Sequence, residues 1–178
     1  NTGGFFRSSD CTISGNNNVD VTGTLEIIGN STDMDNLVTI SAASKKRHFY
    51  VNGANDKLVL RYVKLVGGDV SSYGGSIYIR NGGELQLYSC IVSNNKAYNG
   101  GGIYATGSTV KVYAENSILQ GNSASDGSGR VGDGGGMFIV YGTVTLTSTT
   151  FASNSAGNYG GGMYISSGTV TLTSTTFA

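Results

Sequence analysis

The run from Gly142 to Ala152, GTVTLTSTTFA, is repeated without change from Gly168 to Ala178. A second, glycine-rich motif has four copies, which are GGSIY at 74–78, GGGIY at 100–104, GGGMF at 134–138 and GGGMY at 160–164. The first and last intervals between these copies equal the interval between the two identical runs, and the middle interval is longer. A fixed period, here about 26 residues, predicts a fold of stacked repeats, in which each unit packs on its neighbours.

Each repeat contains three short segments in which apolar residues alternate with other residues, as in Ile77–Ile79 and Leu85–Leu87. Such alternation is typical of half-buried strands. Three strands in each repeat predict an all-β, right-handed parallel β-helix (β-solenoid) of roughly six to seven coils, with about 26 residues in each coil. In aligning the coils, we place Val110 level with Leu85 and Val144.

The whole chain, 1–178, is predicted to be a single β-helix segment. Residues 1–57 form irregular N-terminal coils, and residues 58–178 form regular repeats with an insert near 125–132, which accounts for the longer interval. The chain starts at Asn1, and its last residues fall where another repeat would begin, so we expect it to be part of a longer protein.

The composition argues against several classes of function. The 178 residues carry a formal net charge of zero, and only 12% of them are charged, so no basic surface for nucleic acid is indicated. No apolar run reaches the roughly 18 residues of a membrane-spanning helix. Tyrosine, phenylalanine and alternating aliphatic residues are too frequent for a disordered chain, despite 29 glycines.

Asparagines recur at one position, shortly after the last apolar residue of each repeat. Stacked coils would place them above one another, and stacked amides can hydrogen-bond along the axis of the helix. A ligand site is the alternative interpretation. We favour a structural asparagine ladder, formed by Asn95, Asn122 and Asn154.

These motifs carry a family resemblance. Glycine pairs followed by a small and an apolar residue, together with Phe151-Ala152-Ser153-Asn154, resemble the GG-x-apolar and FxxN repeats of polymorphic outer membrane proteins, which are surface adhesins. The resemblance covers roughly residues 73–178 and implies a pectin-lyase-like right-handed β-helix at a cell surface. The membrane-anchoring barrel of that family is absent from these residues.

The sequence does not predict an enzyme, a cofactor or a metal site. Hydrolysis of a glycan requires two carboxylates at a defined separation, but the 11 acidic residues are scattered. The pairs Asp33/Asp35 and Asp126/Asp133 lie in predicted loops. Glu84 is expected to have threonines as its neighbours in the other coils, at 109, 143 and 169.

Three further features receive mainly structural interpretations. The cluster Lys45-Lys46-Arg47-His48 is interpreted as a solvated turn, and it contains the only histidine. Cys11 and Cys90 are predicted to lie about three coils apart, too far for a disulfide, so that Cys90 is a buried thiol and Cys11 is free or paired elsewhere. Asn30, in Asn30-Ser31-Thr32, is the one candidate for N-glycosylation.

Two outward-facing rows of side chains are candidate contact surfaces. Threonines at 143, 145 and 147 lie below those at 169, 171 and 173, and this threonine array is similar to the faces of some ice-binding proteins. The other row is an aromatic stripe, which is predicted to contact a neighbouring rod, a covering loop or a sugar, or only to stabilise its sheet. Its members are Tyr50, Tyr78, Tyr104, Phe138 and Tyr164.

The sequence therefore favours an extracellular or cell-surface structural or adhesive protein. It would form or decorate a filament, a coat or a stalk through lateral and end-to-end association. The expected partners are further copies of the protein or other structural proteins, with carbohydrate as an alternative partner. A polysaccharide-binding or polysaccharide-cleaving pectin-lyase-like protein and an ice-binding protein are the alternative functions.

Overall fold

The chain forms a parallel β-helix of about six turns in a computed structural model. The structure describes residues 3–7, 11–12, 18–125 and 130–178, the first two ranges as backbone alone. One 3-10 helix, Met34–Asn36, is the single helical element within these ranges. The prediction of an all-β, parallel β-helix is confirmed. None of the described residues belongs to a helix with the length and apolar character needed to cross a membrane.

Four parallel sheets form the walls of the helix. The first contains β1 (Gly3–Arg7), β4 (Thr24–Gly29), β7 (Lys57–Arg61), β10 (Glu84–Tyr88), β14 (Lys111–Glu115), β18 (Thr143–Thr147) and β22 (Thr169–Thr173). The second contains β2 (Cys11–Thr12), β5 (Val38–Ser41), β8 (Val63–Val66), β11 (Ile91–Ser93), β15 (Ile118–Gln120), β19 (Thr150–Ala152) and β23 (Thr176–Phe177). The third contains β3 (Val19–Val21), β6 (Phe49–Val51), β9 (Ile77–Arg80), β13 (Ile103–Thr106), β17 (Met137–Ile139) and β21 (Met163–Ile165). A fourth, short sheet contains β12 (Lys96–Ala97), β16 (Ser123–Ala124) and β20 (Ser155–Ala156).

Equivalent residues lie directly above one another along the axis. In the first sheet, Leu58 pairs with Leu85, and Leu85 pairs with Val112 in the following coil. Val112 in turn pairs with Val144, across the longer coil that contains the insert. Side chains of a strand alternate between its two faces, so each of these positions forms a continuous apolar column inside the helix.

The structure corrects the alignment of one coil. Val112, and not Val110, pairs with Leu85 and Val144. A slip of two residues keeps the same side chains facing inward, so apolar alternation alone cannot detect it. Val110 is still buried, but it lies in the turn before β14, where its N–H donates to the carbonyl of Gly107.

The glycine-rich motif marks the corner at which each coil enters the third sheet. Its first glycine has a positive φ, 63° at Gly100, which residues other than glycine rarely adopt. Its second glycine has no room for a side chain, because a Cβ at Gly101 would lie 2.5 Å from the carbonyl oxygen of Gly135 in the next coil. The motif therefore repeats because the coils stack too closely for larger residues.

The corner between the first and second sheets has its own repeated pattern. A residue with positive φ, such as Ser89 or Asn116, is followed by a small inward-facing residue. Cys90 occupies this inward position, and its Sγ lies 3.3 Å from the carbonyl oxygen of Leu60. Its equivalents in the next coils, Ser117 and Thr149, likewise donate to backbone carbonyls. Cys90 is a free thiol whose complete burial raises its pKa to about 11.

We expect Ile103→Asp to unfold at least the coils on either side of β13. Ile103 lies between Ile77 and Met137 in the core, and all three side chains are fully buried. A carboxyl group that must stay neutral there, with a pKa raised by about 3 units, costs about 4 kcal/mol of stability. Equilibrium denaturation measures this loss. Ser108→Asp, in the exposed turn that follows β13, is the control, and an equal loss in both variants would contradict the assigned core.

Candidate functional site

The asparagine ladder lies inside the helix, at the corner that follows the second sheet. The Nδ2 of Asn95 donates to the Oδ1 of Asn122 at 3.0 Å, and the Nδ2 of Asn122 donates to the Oδ1 of Asn154 at 2.9 Å. Each amide also donates to a backbone carbonyl of the coil below, as Asn122 does to Val92 at 2.9 Å. Every Oδ1 also accepts a backbone N–H, so the amides of the ladder are hydrogen-bonded throughout.

One coil below Asn95, a histidine replaces asparagine. The equivalent position is Gly68, which has no side chain, and His48 reaches in from the third sheet instead. Its Nε2 donates to the carbonyl oxygens of Ile40 and Val66 at 3.0 and 3.1 Å. Its Nδ1 accepts from the hydroxyl of Ser76 at 3.0 Å. The imidazole is thus the neutral Nε2–H tautomer, and it continues the ladder.

The His48–Ser76 pair was missed by the sequence analysis, which placed His48 in a solvated turn. Two departures from the repeat could have revealed it. Glycine stands at 68, where the next three coils have asparagine, and serine stands at 76, where the other copies of the glycine motif have a third glycine. A Cβ at Gly68 would lie 2.0 Å from the carbonyl oxygen of Gly75, so no asparagine fits at this position, and His48 supplies the donor to Ile40 with Ser76 as its own partner.

The aromatic stripe is continuous along the outer side of the third sheet. Neighbouring rings have centroid separations of 5.1 to 5.3 Å from Tyr50 to Tyr164, with tilted or edge-on geometry. Such arrangements are the favourable ones for aromatic pairs. Contacts between successive rings therefore stabilise this wall of the helix.

In the middle of the aromatic stripe the contact is a covering loop, which is one of the alternatives that the sequence left open. Tyr104 is 8% exposed and Phe138 is 7% exposed. Tyr73, from the preceding loop, stacks on Tyr104 at a centroid separation of 4.7 Å, and Tyr159 stacks on Tyr164 at 5.6 Å. Burial raises the pKa of Tyr104 to about 12. The protein covers part of the stripe with its own loops, and Tyr50 and Tyr78 remain half-buried.

Arg47 lies at the N-terminal end of the stripe. Its guanidinium is 5.1 Å from the ring centroid of Tyr78 and 5.8 Å from that of Tyr50, and its Nη2 donates to the hydroxyl of Ser72 at 3.0 Å. Burial lowers its pKa. Two adjoining cavities of about 470 and 410 Å³ open on either side of it, and we call them together the Arg47 groove. The lining residues that matter here are Asn18, Asp20, Lys46, Arg47, Tyr50 and Tyr78.

Asp33 and Asp133, which the sequence analysis considered for chemistry, accept hydrogen bonds within loops. Asp33 caps the 3-10 helix, and hydrogen bonds from the backbone of Asp35 and from Asn36 lower its pKa. Asp133 accepts from Asn158 and from the backbone N–H of Tyr159. Asp126 falls outside the described residues. That the protein is not an enzyme stays a prediction.

One of the three predicted neighbours of Glu84 is wrong, since Thr143 and Thr169 share its position in the later coils but Thr109 does not. Glu84 pairs with Lys57 in one adjacent coil and with Lys111 in the other, and its carboxylate lies 2.9 Å from the Nζ of Lys57. The predicted neighbour Thr109 lies two residues before that position. The alignment error of two residues that misplaced Val110 also accounts for the wrong neighbour predicted for Glu84.

The threonine array is regular over two strands. Thr143, Thr145 and Thr147 pair in register with the equivalent threonines of β22. The neighbouring strand β14 presents Lys111, Tyr113 and Glu115 instead, and the hydroxyl of Tyr113 donates to Glu115 at 2.7 Å. Among the described residues, the flat threonine surface therefore extends over only two strands, β18 and β22.

The sequence offers two candidate positions for covalent modification, Asn30 and Cys11. Asn30 is exposed in the loop that follows β4, where a glycan would meet no obstruction from the core. Glycosylation of Asn30 stays a prediction. The side chain of Cys11 lies outside the described part of the chain, and its strand is separated from β11 by β5 and β8.

The coil that ends at Ala178 exposes residues that are core in the other coils. Leu172 and Phe177 are 47% and 48% exposed, whereas their partners one coil earlier, Leu146 and Phe151, are 0% and 1% exposed. Strands β21, β22 and β23 are the last in their sheets, so their outer edges have no pairing strand among the described residues. We call this apolar surface the end face.

We expect Asn122→Ala to destabilise the protein by about 3 kcal/mol or more, because a buried polar group left without a partner costs about 1–3 kcal/mol. The substitution leaves the N–H of Asn95 without its acceptor and removes the Nδ2 donors to the carbonyl of Val92 and to Asn154, whose Oδ1 keeps the backbone N–H of residue 122. Denaturation of the variant measures the loss. Asn55→Ala, at an exposed position, is the control, and a near-neutral Asn122→Ala would mean that the ladder contributes little.

We expect the neutral imidazole of His48 to make the protein less stable at acidic pH. Burial lowers its pKa from 6.5 to about 4, so the unfolded chain takes up a proton before the folded protein does. The stabilisation is complete above about pH 6.5 and is lost as the pH falls towards about 4, which amounts to about 2 kcal/mol between about pH 7 and pH 5. Urea denaturation at several pH values measures this slope, which His48→Gln removes. An unchanged slope in that variant would assign the effect to other groups.

Comparison with known proteins gives no relative from which a role could be transferred to these surfaces. No family model, no curated protein and no solved structure matches the chain.

Proposed function

We propose that the protein is an extracellular structural or adhesive β-helix, which forms or decorates a filament, a coat or a cell-surface stalk by associating with further β-helical polypeptide. The observation that carries this proposal is the exposed aromatic surface beside the aromatic stripe, where Tyr141 and Tyr159 are 52% and 57% exposed. The end face also favours the addition of another coil, which the same chain or a second molecule could supply, because it combines exposed core residues with strand edges that are ready to pair.

The contact that we propose repeats the contact between two coils inside the protein. In the interior, Leu146 lies against Leu172 and the ring of Phe151 stacks on that of Phe177 at 4.8 Å. A coil placed on the end face would make the same contacts with Leu172 and Phe177. It would also extend three sheets by backbone hydrogen bonds, which depend little on side-chain identity.

Lateral contacts are proposed for the aromatic side of the helix. Tyr159 is exposed, although it stacks on Tyr164 of the aromatic stripe. Tyr141 is also exposed, in the turn that follows β17. Tyrosine is favoured at interfaces because it offers a large apolar ring and a hydrogen-bonding hydroxyl. Two rods side by side could bury these rings without any change in the coils.

We expect the 178-residue chain to associate in a concentration-dependent manner. Leu172→Lys would place a charge on the apolar end face. It should raise the apparent dissociation constant at least tenfold, which corresponds to about 1.4 kcal/mol. Sedimentation velocity over a range of concentrations measures the association. Thr171→Lys is the matched control, because Thr171 is the exposed neighbour of Leu172 on the outward side of the same strand.

Two results would contradict the proposal. One is a chain that sediments as a monomer at every concentration. The other is an equal effect of Thr171→Lys and Leu172→Lys, which would mean that added charge, and not the end face, controls association.

A further inference from the structure

The Arg47 groove joins a cationic part and an aromatic part, and both of its cavities include Asn18 and Arg47. The groove lies on the outside of the third sheet, at the N-terminal end of the aromatic stripe. It is remote in sequence from the end face, so a ligand bound here would not depend on end-to-end association.

The cationic part presents Lys46 and Arg47. The nearby Lys45 is already paired with Asp69, at 2.6 Å. The Nε of Arg47 is buried and has no hydrogen-bond acceptor among the described residues. Its guanidinium is held in place by Ser72 and by the ring of Tyr78. A ligand cannot reach this buried Nε, but a fixed, planar guanidinium is suited to bind an oxyanion such as a carboxylate or a sulfate through its Nη atoms.

The aromatic part presents Tyr50 and Tyr78, which are half-buried and have a centroid separation of 5.2 Å. Half-buried tyrosine rings can pack against the apolar face of a sugar ring while their hydroxyls stay in water. Asn18 donates to the carboxylate of Asp20 beside them, and together these side chains offer both donors and acceptors for sugar hydroxyls.

We propose that the Arg47 groove binds an anionic sugar unit of a glycan, with its carboxylate or sulfate at Lys46 and Arg47 and its ring against Tyr50 and Tyr78. A neutral sugar would leave the two cations unused. A nucleic acid would require a continuous basic surface for its successive phosphates, whereas Asp20 and Asp69 flank the two cations of the groove and the protein as a whole carries no net positive charge.

The length of the bound segment is limited by the covering loop. Beyond Tyr78, the next ring of the aromatic stripe is Tyr104, which Tyr73 covers. The groove is therefore closed on the side of Tyr104. The affinity is expected to stop rising with chain length after the first few units, which distinguishes this site from a long polysaccharide channel.

Titration calorimetry at low salt tests the proposal with a uronic acid oligosaccharide, a sulfated oligosaccharide and a neutral oligosaccharide of equal length. Either anionic oligosaccharide should bind at least tenfold more tightly than the neutral one, and the difference between the two identifies the acidic group. Arg47→Gln should weaken this binding at least tenfold, and Lys46→Gln should weaken it without touching the packed guanidinium. Lys111→Gln, which removes an exposed lysine from the first sheet, is the matched control.

Several outcomes would overturn the proposal. They are equal binding of the neutral sugar, equal weakening by Lys111→Gln, binding of free sulfate as tight as that of the sulfated oligosaccharide, tighter binding of an oligodeoxynucleotide, and no binding of any anionic oligosaccharide. Circular dichroism shows whether each variant is folded. Leu172→Lys should bind the glycan normally, so loss of end-to-end association and loss of glycan binding can be told apart.

Discussion

Backbone pairing between successive coils is the interaction on which the rest of this structure depends. Parallel strands place each residue directly above its counterpart one coil earlier, as in the series Leu58, Leu85, Val112 and Val144. Every side chain must therefore be compatible with a like neighbour on both sides. Apolar residues satisfy this requirement in the interior, and polar residues satisfy it only where their hydrogen bonds can run along the axis, as in the asparagine ladder. The repeats in the sequence are the direct result of this constraint.

The same constraint explains how far the sequence could be interpreted. Period and alternation were sufficient to predict the parallel β-helix, because both patterns follow from stacking. They could not fix the register of the coil around Val112, since a shift by two residues leaves the inward face unchanged. They also could not show that Tyr73 covers Tyr104, because that contact joins a loop to a strand outside the repeat. The Arg47 groove was missed for a similar reason, since its residues come from three separate stretches of the chain.

The aromatic stripe shows how one row of side chains can have two roles. Between Tyr104 and Phe138 the rings are buried under loops and contribute to packing, as the edge-on contact at 5.3 Å indicates. At Tyr50 and Tyr78 the loops stop short, and the same kind of ring borders an open groove beside Arg47. The difference arises from the loops and not from the strands. In a repetitive fold, functional sites are therefore expected where the loops, and not the strands, differ from one coil to the next.

The His48–Ser76 pair also bears on how a chain of near-identical units finds its order. The segments 142–152 and 168–178 are the same, so exchanging one for the other would alter neither apolar packing nor backbone pairing. The imidazole of His48, in contrast, bonds to Ile40, Val66 and Ser76, a set of partners that recurs in no other coil among the described residues. The pair therefore distinguishes the coil of His48 from the other coils. Only the coils that carry these partners can make the contacts of His48, so the pair restricts which coils can be neighbours in the N-terminal part of the helix.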